Sequence, residues 1–408
     1  MRGGRIILGL LAVLTVVAVA AGRTDAAGNA AAIAEIQPAA ALTGSTIAVI
    51  GDYGVNSTAE ANVANLVAGW SPAAIVTVGD NYYTSGGSGT GRYDLVVGQY
   101  YCGFLKGAAS GTYCAGGTAD VNRFFPATGN HDYSDGGIGN YTAYFDLPGT
   151  ELVYRQVVGD VEFFFIDSDL SLRSSTEMNA EKAWLETALG NSTAAWQVVV
   201  FHHPPYSSSS THGSSVAMRW PFGTWGADLV LSGHDHTYER LSSGGLTYVV
   251  NGLGGASRYS FGTPLTESVV RYNSNYGAMK LVASSTYLTA TFVSIDGTTR
   301  DTFSLGTPPA AAPGSFGKGS PASNARNVSR APTLSWAAAT GATGYEYCVD
   351  TTVNGSCDAA WISTGTSTTA SLSGLLSKKA YEWQVRAANA GGTTYADASR
   401  WWKFTTVR

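Results

Sequence analysis

The chain has 408 residues, a formal net charge of −5 and 13% charged residues, about half of the usual quarter in soluble domains. This composition excludes a basic nucleic-acid-binding surface and a polybasic membrane anchor. At roughly 100–200 residues per domain, the length allows two domains that each bury a core.

The first 21 residues are typical of a secretory signal peptide. Arg2 and Arg5 precede an apolar stretch over residues 6–19, which is short for a bilayer span and is followed by small residues suited to cleavage. The alternative is an uncleaved anchor. We expect a chain that is secreted, or periplasmic or held in the cell envelope, with no membrane span after signal removal. Residues 22–42 are Ala-rich without periodicity, which predicts a disordered spacer.

Between residues 43 and 305, one strand after another is predicted to end in a polar side chain. The apolar runs at 46–50 and 74–78 end in Gly-Asp, and the runs at 196–201 and 228–232 lead into His202 and His234. A further strand is predicted at 162–167 and helices at 58–70 and 180–189, with an all-β pattern after residue 246. Because ligands bind where the carboxyl ends of strands meet, we expect one common site.

The four cysteines form two pairs that are each close in sequence. Cys102 and Cys114 lie in the first part of the chain, and Cys348 and Cys357 lie in the last part. Four cysteines allow three connectivities, and an oxidising compartment favours two local disulfides, since the other pairings would join the two predicted domains.

The last hundred residues have a different composition. Residues 306–325 are rich in Pro, Ala, Gly and Ser, as in a linker, and residues 326–408 show the alternation of a small β-sandwich without any histidine. The pattern Tyr381-x-Trp383-x-Val385, which follows Leu372 and Leu375, resembles fibronectin type III domains. Such a domain would serve as a spacer, a surface tether or a module that contacts carbohydrate.

All six histidines lie between His131 and His236, and most belong to motifs that also contain Asp, Asn or Gly. Histidine, carboxylate and carboxamide are side chains that bind hard to borderline metal ions. The clustering therefore predicts a metal site. The motifs are Asp52-Tyr53-Gly54, Gly79-Asp80-Asn81-Tyr82-Tyr83, Gly129-Asn130-His131-Asp132, Val199-Val200-Phe201-His202 and Gly233-His234-Asp235-His236.

In this order the five motifs resemble the signature of the purple acid phosphatases, which belong to the calcineurin-like metallophosphoesterases. The resemblance covers residues 43–305. It implies an α/β fold, a four-layer α-β-β-α sandwich, followed here by the small all-β fibronectin type III-like domain. It also implies a binuclear metal centre, with Asp52, Asp80, Tyr83 and His236 around one ion and Asp80 (bridging), Asn130, His202 and His234 around the other.

Tyr83 is the most informative of these seven residues. A phenolate is a strongly donating ligand that favours ferric iron and would colour the protein, and the second ion would then be divalent iron, zinc or manganese. The alternative is that Tyr83 only packs and that both ions are divalent. Tyr82 is adjacent, so the motif alone does not exclude it as the ligand.

The resemblance also implies roles for residues that bind no metal. His131 would hydrogen-bond the phosphate or the leaving oxygen, with Asp132 as an orienting partner, and His212, ten residues after His202, would donate a proton to the leaving group. The alternatives are a structural hydrogen bond for His131 and an ordinary exposed histidine at 212. For His203, next to a ligand, a packing role is favoured.

The function that follows from the resemblance is that of an exported acid phosphatase. It would hydrolyse small phosphate monoesters by in-line attack of a metal-bound hydroxide. A phosphodiesterase or nucleotide-diphosphate hydrolase with the same centre is the nearest alternative. A non-catalytic envelope or glycan-binding protein, acting through its C-terminal domain, is a further one.

Overall fold

The computed structural model describes residues 26–34, 36–37, 41–83, 89–108, 111–134 and 138–408. The predicted signal peptide, residues 1–21, lies outside the described residues. The chain separates into two compact units, Met1–Gly306 and Thr307–Arg408.

The first unit is built on two β-sheets. Its strands are β1 (Thr46–Ile50), β2 (Ala74–Thr77), β3 (Phe124–Pro126), β4 (Tyr154–Val158), β5 (Val161–Phe165), β6 (Trp196–Val200), β7 (Leu229–Ser232), β8 (Tyr238–Ser243), β9 (Leu246–Asn251), β10 (Ser268–Tyr272), β11 (Gly277–Ser284), β12 (Tyr287–Ser294) and β13 (Thr299–Gly306). One sheet has the order β13-β12-β11-β1-β2-β3, and the other has the order β10-β8-β9-β7-β6-β5-β4.

Helices connect these strands. The two longest helices each begin after a serine whose side chain accepts a hydrogen bond from the first helical turn. Ser57 accepts from the Glu60 N–H, and Ser174 forms a reciprocal capping box with Glu177. The helices are α1 (Ala26–Ala34), α2 (Thr58–Gly69), α3 (Gly91–Tyr93), α4 (Gln99–Tyr101), α5 (Gly139–Tyr144), α6 (Ser175–Gly190) and α7 (Phe222–Trp225).

Both faces of the central strands are buried, which explains their unbroken apolar runs. In β6, Val198 and Val200 belong to the core that also contains the first sheet, whereas Val199 packs on the opposite side with α6, as does Phe201 directly after the strand. Helix α2 packs against the first sheet through β11. The predicted four-layer sandwich is therefore confirmed.

The parallel strands bring distant loops to one edge. Neighbours β1, β2 and β3 are parallel, as are β5, β6 and β7. Strand β3 has only three residues and was not predicted, because so short a run carries no periodicity. It nevertheless leads into the loop with Asn130, so it is essential to the site.

The stretch predicted to be a disordered spacer contains helix α1. Ile33 and the nearby Ile36 are buried in the same core as Trp184 and Leu189 of α6. Alanine is the best helix former, and this apolar contact with α6 stabilises a short helix that would be marginal alone. The prediction of disorder is thus corrected for Ala26–Ala34.

The second unit is all-β, consistent with the predicted fibronectin type III-like domain, and packs around Trp383, which is completely buried. Its strands are β14 (Lys318–Ser320), β15 (Ala325–Val328), β16 (Thr333–Trp336), β17 (Gly344–Asp350), β18 (Ile362–Gly365), β19 (Thr369–Ser371), β20 (Ala380–Asn389), β21 (Gly392–Tyr395) and β22 (Trp402–Thr406). They form one sheet of order β14-β16-β19 and another of order β15-β22-β20-β17-β18, in which β21 also pairs with β20.

Strand β14 lies inside the segment predicted to be a linker, residues 306–325. Phe316 and Lys318 are 9% and 7% exposed, and Phe316 belongs to the core of the second unit. The predicted linker at residues 306–325 is therefore too long, because its last part belongs to the folded second unit.

Both predicted disulfides are present, Cys102–Cys114 and Cys348–Cys357. Each closes a local loop within its own unit. Within the described part of the chain, no helix has the length and apolarity needed to cross a bilayer.

Candidate metal centre

The five motifs lie at the carboxyl ends of β1, β2, β3, β6 and β7. Their side chains converge although they are up to 184 residues apart (236 − 52) in sequence. The seven residues predicted to bind metal form two contacting groups.

The first group surrounds Asp52. The Tyr83 hydroxyl lies 3.0 Å from His236 Nε2 and 3.3 Å from Asp52 Oδ1. His236 Nε2 and Asp52 Oδ1 are 3.5 Å apart. A carboxylate, a phenol and an imidazole therefore face one another.

The second group surrounds His202. Its Nε2 atom lies 3.1 Å from Asn130 Oδ1 and 3.2 Å from His234 Nδ1. The Asp80 Oδ2 atom is 3.3 Å from the same nitrogen. Four side chains from four different loops thus meet at one point.

Asp80 lies between the two groups. Its Oδ2 atom lies 3.3 Å from His202 Nε2 in the second group, and one of its carboxylate oxygens lies within 4.8 Å of an Asp52 oxygen in the first. Its Oδ1 atom accepts the His131 N–H at 2.9 Å. Asp80 is 1% exposed, so its carboxylate lies within the cluster rather than at its rim.

Three of the seven residues have left-handed backbone conformations. The φ angles are +54° for Asp52, +52° for Asp80 and +70° for His234, and such strain in non-glycine residues concentrates at functional sites. Each follows a glycine, and the glycines before Asp80 and His234 leave room for another candidate ligand. A Cβ on Gly79 would lie 2.6 Å from His202 Nδ1, and one on Gly233 would lie 2.5 Å from Asp52 Oδ2.

Backbone carbonyls determine which nitrogen two histidines present. The ring of His202 donates from Nδ1 to the Val78 carbonyl at 2.9 Å, and that of His236 donates from Nδ1 to the Ser257 carbonyl at 2.6 Å. Because a carbonyl can only accept, each Nδ1 carries a hydrogen and each Nε2 atom faces the cluster. Such hydrogen bonds are typical of metal-ligating histidines.

The electrostatics of the cluster favour a cation. Asp52, Asp80 and His202 offer three ligand atoms within 4.8 Å of one another, and all three residues are buried. Burial raises the pKa of Asp52 well above its ordinary value. Burial alone would lower the pKa of His202, but the Asp80 and Asp52 carboxylates outweigh it and raise that pKa to about 10. Buried acceptors that need an extra positive charge suit a metal ion, and oxygen with imidazole donors suits iron, zinc or manganese.

The structure distinguishes Tyr83 from Tyr82. Burial, and then the charges of Asp80 and Asp52, raise the pKa of Tyr83 well above that of free tyrosine, so its phenolate needs a cation in place of the proton. Tyr82 instead lies under the Arg92 guanidinium, 4.1 Å from the ring centroid. Tyr83 is the tyrosine that joins the cluster.

The other three histidines border the cluster. The His131 ring packs on Tyr83 with centroids 4.4 Å apart, and the exposed His212 stacks on His234 at 4.0 Å. His203 packs on His234 at 4.4 Å, and its Nδ1 atom lies 2.9 Å from the Ser168 hydroxyl. The packing role expected for His203 agrees with these contacts.

Asp132 faces the interior. Its carboxylate accepts the Gly129 N–H at 2.8 Å, the Asn81 amide at 3.0 Å and the Tyr93 hydroxyl at 3.1 Å. Burial and the nearby Asp80 charge raise its pKa to about 7. The prediction that Asp132 orients the His131 ring is therefore corrected. The Asp132 carboxylate instead holds the backbone of its own loop through Gly129 and joins that loop to Asn81 and Tyr93.

Asn81 lies at the centre of this buried hydrogen-bond network. Its role was not predicted from the sequence. Its oxygen accepts from the Tyr53 and Thr77 hydroxyls, and its amide donates to Asp132 and to the Ala127 carbonyl at 2.8 Å. The network joins the loops after β1, β2 and β3. The only sequence signal was the position of Asn81 inside a motif.

We expect Asn81→Ala to lower the free energy of unfolding by about 3 kcal/mol, because it leaves several buried partners unsatisfied. Metal affinity should fall with it, since three ligand loops lose their common support. Chemical denaturation and metal titration measure both effects. Asn191→Ala, at an exposed position, is the control and should change stability by less than about 0.5 kcal/mol. Equal effects of the two substitutions would contradict the inference that Asn81 holds the three loops together.

Comparisons with known proteins agree with this geometry. Residues 45–238 match the sequence model of the family described as Calcineurin-like phosphoesterase. Purple acid phosphatase 23 of Arabidopsis thaliana is 26% identical over 228 residues, which are 48% of this chain and 47% of that protein. Purple acid phosphatase 15 of the same plant is 26% identical over 249 residues, 51% of this chain and 44% of that protein. The chain spans about half the length of the curated relatives it matches.

Two solved structures share the fold with a TM-score of 0.50. Purple acid phosphatase PPD1 from yellow lupin is 19% identical, and the match covers 64% of this chain and 53% of that one. Plasmodium GAP50, described as the anchor in the inner membrane complex, is 20% identical, with 64% and 89% covered. The resemblance predicted from the five motifs is confirmed: the chain contains a calcineurin-like phosphoesterase domain homologous to the purple acid phosphatases.

Proposed function

We propose that this chain, whose phosphoesterase domain is homologous to the purple acid phosphatases, is a secreted metal-dependent phosphatase that hydrolyses phosphate monoesters. The single observation that carries the proposal is the convergence of six other metal-competent side chains around the buried Asp80 carboxylate. A protein that used the fold only as a scaffold would have no need to bury these unneutralised acceptors.

In this proposal the two contacting groups would hold two ions, with Asp80 as a ligand common to both. Asp52, Tyr83 and His236 would complete the site of a ferric ion, because a phenolate donor suits that ion. Asn130, His202 and His234 would complete the site of a divalent ion, which would be iron, zinc or manganese. When bound, the ions lower the pKa of water and offset the negative charge of the phosphoryl group.

The protein's own side chains do the rest. Asn130 and His131 stand at the cluster and are suited to hydrogen-bond the phosphoryl oxygens. The backbone N–H of His131 donates a hydrogen bond to Asp80, and the His131 ring packs on the Tyr83 ring, so both contacts hold His131 at the cluster. His212 is exposed beside His234, where it is accessible to a substrate and suited to protonate the leaving oxygen.

A panel of phosphate esters tests the proposal. We expect the purified chain to hydrolyse 4-nitrophenyl phosphate and alkyl phosphates faster than bis(4-nitrophenyl) phosphate or a nucleoside diphosphate. If the diester or the diphosphate is hydrolysed faster, the proposed monoesterase activity is wrong and the phosphodiesterase or the nucleotide-diphosphate hydrolase takes its place. If the metal-loaded protein hydrolyses none of these substrates, the proposed enzymatic function is excluded.

Metal removal should also destabilise the fold, because ligands that bind only the folded state stabilise it. At a free metal concentration of 100 times Kd, the loss on chelation is about 2.7 kcal/mol per site. Thermal unfolding with and without chelator measures it, and re-addition of iron and zinc should restore both the Tm and activity. An unchanged Tm would count against a metal centre in the folded protein.

A further inference from the structure

Between the two candidate ligands His234 and His236 lies Asp235, whose side chain is completely buried. The left-handed conformation of His234 changes the chain direction here, so that both neighbouring imidazoles face the cluster. The Asp235 carboxylate faces a different segment, the loop over residues 207–213.

The carboxylate binds both ends of that loop. Its Oδ2 atom accepts the Ser207 hydroxyl at 2.6 Å and the Gly213 N–H at 3.1 Å, and Oδ1 accepts the His212 N–H at 3.2 Å. Two consecutive N–H groups thus point at one buried charge. Charge-assisted bonds of this kind are stronger than neutral ones.

Gly213 allows this arrangement. Its φ of +73° is a conformation that residues with a Cβ adopt only with strain. The turn places the His212 backbone against Asp235 while its ring stacks on His234, with 28° between the ring planes. Tyr259 borders the same ring, edge to face at 5.6 Å.

Glu239 binds a different part of the same loop. Its carboxylate, also completely buried, accepts the Ser208 N–H at 2.7 Å and the Ser208 hydroxyl at 2.6 Å. Two carboxylates four residues apart therefore hold one loop, but only Asp235 binds His212. This difference provides a matched control.

We propose that Asp235 is a positioning residue that acts through His212 and sets where this histidine can deliver a proton. The inference rests on the proposed function. In the step concerned, water supplies the oxygen of the new P–O bond and releases one proton to solvent, from which His212 is later reprotonated, and the ester P–O bond breaks. Its electron pair stays on the leaving oxygen, which takes a proton from the His212 imidazolium.

The dependence on the leaving group separates positioning from general stability. An alkoxide needs the proton, whereas 4-nitrophenolate leaves as a stable anion. We expect His212→Ala to lower kcat for alkyl phosphates by about 10²-fold and Asp235→Asn to lower it by at least about tenfold. Both variants should retain most of the turnover of 4-nitrophenyl phosphate. In the His212→Ala background, Asp235→Asn should cause no further selective loss.

Glu239→Gln serves as the control and should affect both substrates equally. If Asp235→Asn does not fold, Gly213→Ala disturbs the same turn from the loop side and should give the same selectivity. Equal losses for both substrates, or an additive loss in the double variant, would overturn the inference. If the unsubstituted protein hydrolysed neither ester, the proposed function itself would fail instead.

Discussion

Replacing Asp80 with alanine should abolish phosphate ester turnover and remove metal ions from the purified protein. Asp80 lies within reach of both groups of candidate ligands, 3.3 Å from His202 and within 4.8 Å of Asp52, so its loss removes a ligand from both proposed sites. If the ions supply roughly 4 kcal/mol of transition-state stabilisation through this carboxylate, kcat/KM falls by about 10³-fold or more. Elemental analysis and steady-state kinetics on one preparation measure both effects.

Asp94→Ala is the matched control for this experiment. Asp94 is also buried, and its carboxylate accepts the N–H groups of Tyr113 and Cys114, each at 2.8 Å, but it belongs to neither ligand group. Its loss should lower stability and leave metal content unchanged. An Asp80→Ala protein that folds, keeps two ions and turns over substrate normally would refute the shared carboxylate.

Replacing Tyr83 with phenylalanine should bleach the visible absorption of the metal-loaded protein. If the first group holds ferric iron as proposed, the absorption arises from phenolate-to-iron charge transfer, and Tyr83 is the tyrosine whose hydroxyl meets His236 and Asp52. The substitution also removes a negative charge from the iron site, so we expect weaker iron binding. A visible spectrum recorded with metal analysis separates loss of the chromophore from loss of the metal.

Tyr82→Phe tests the adjacent position. Because the Tyr82 ring packs against Arg92 and Tyr93, this variant should keep the colour and the iron content. If the unsubstituted protein binds two divalent ions and is colourless, Tyr83 does not hold ferric iron. If Tyr82→Phe bleaches the protein and Tyr83→Phe does not, the ligand is the neighbouring tyrosine.

The long buried strands were predictable because both of their faces are covered, so their residues form apolar runs such as 46–50 and 196–201. Other strands, such as β3 and β10, were not predicted. β3 has three residues, and β10 alternates between partly exposed and exposed positions. Such segments become strands because a neighbour supplies their hydrogen bonds, which no local pattern records.

The amino-acid sequence alone determined the chemistry of the site. Few side chains bind such ions, and each motif carries its own donor. Four of the five motifs also carry a glycine that a left-handed residue or a close approach requires, as Gly79 does for Asp80 and His202. The tertiary structure alone decided where neighbouring side chains point. It brings Tyr83 rather than Tyr82 to the cluster, turns Asp132 to the interior, and places His212 beside Asp235. These directions depend on strands and loops far apart in the chain, because a side chain is oriented by what packs against it as well as by its own backbone.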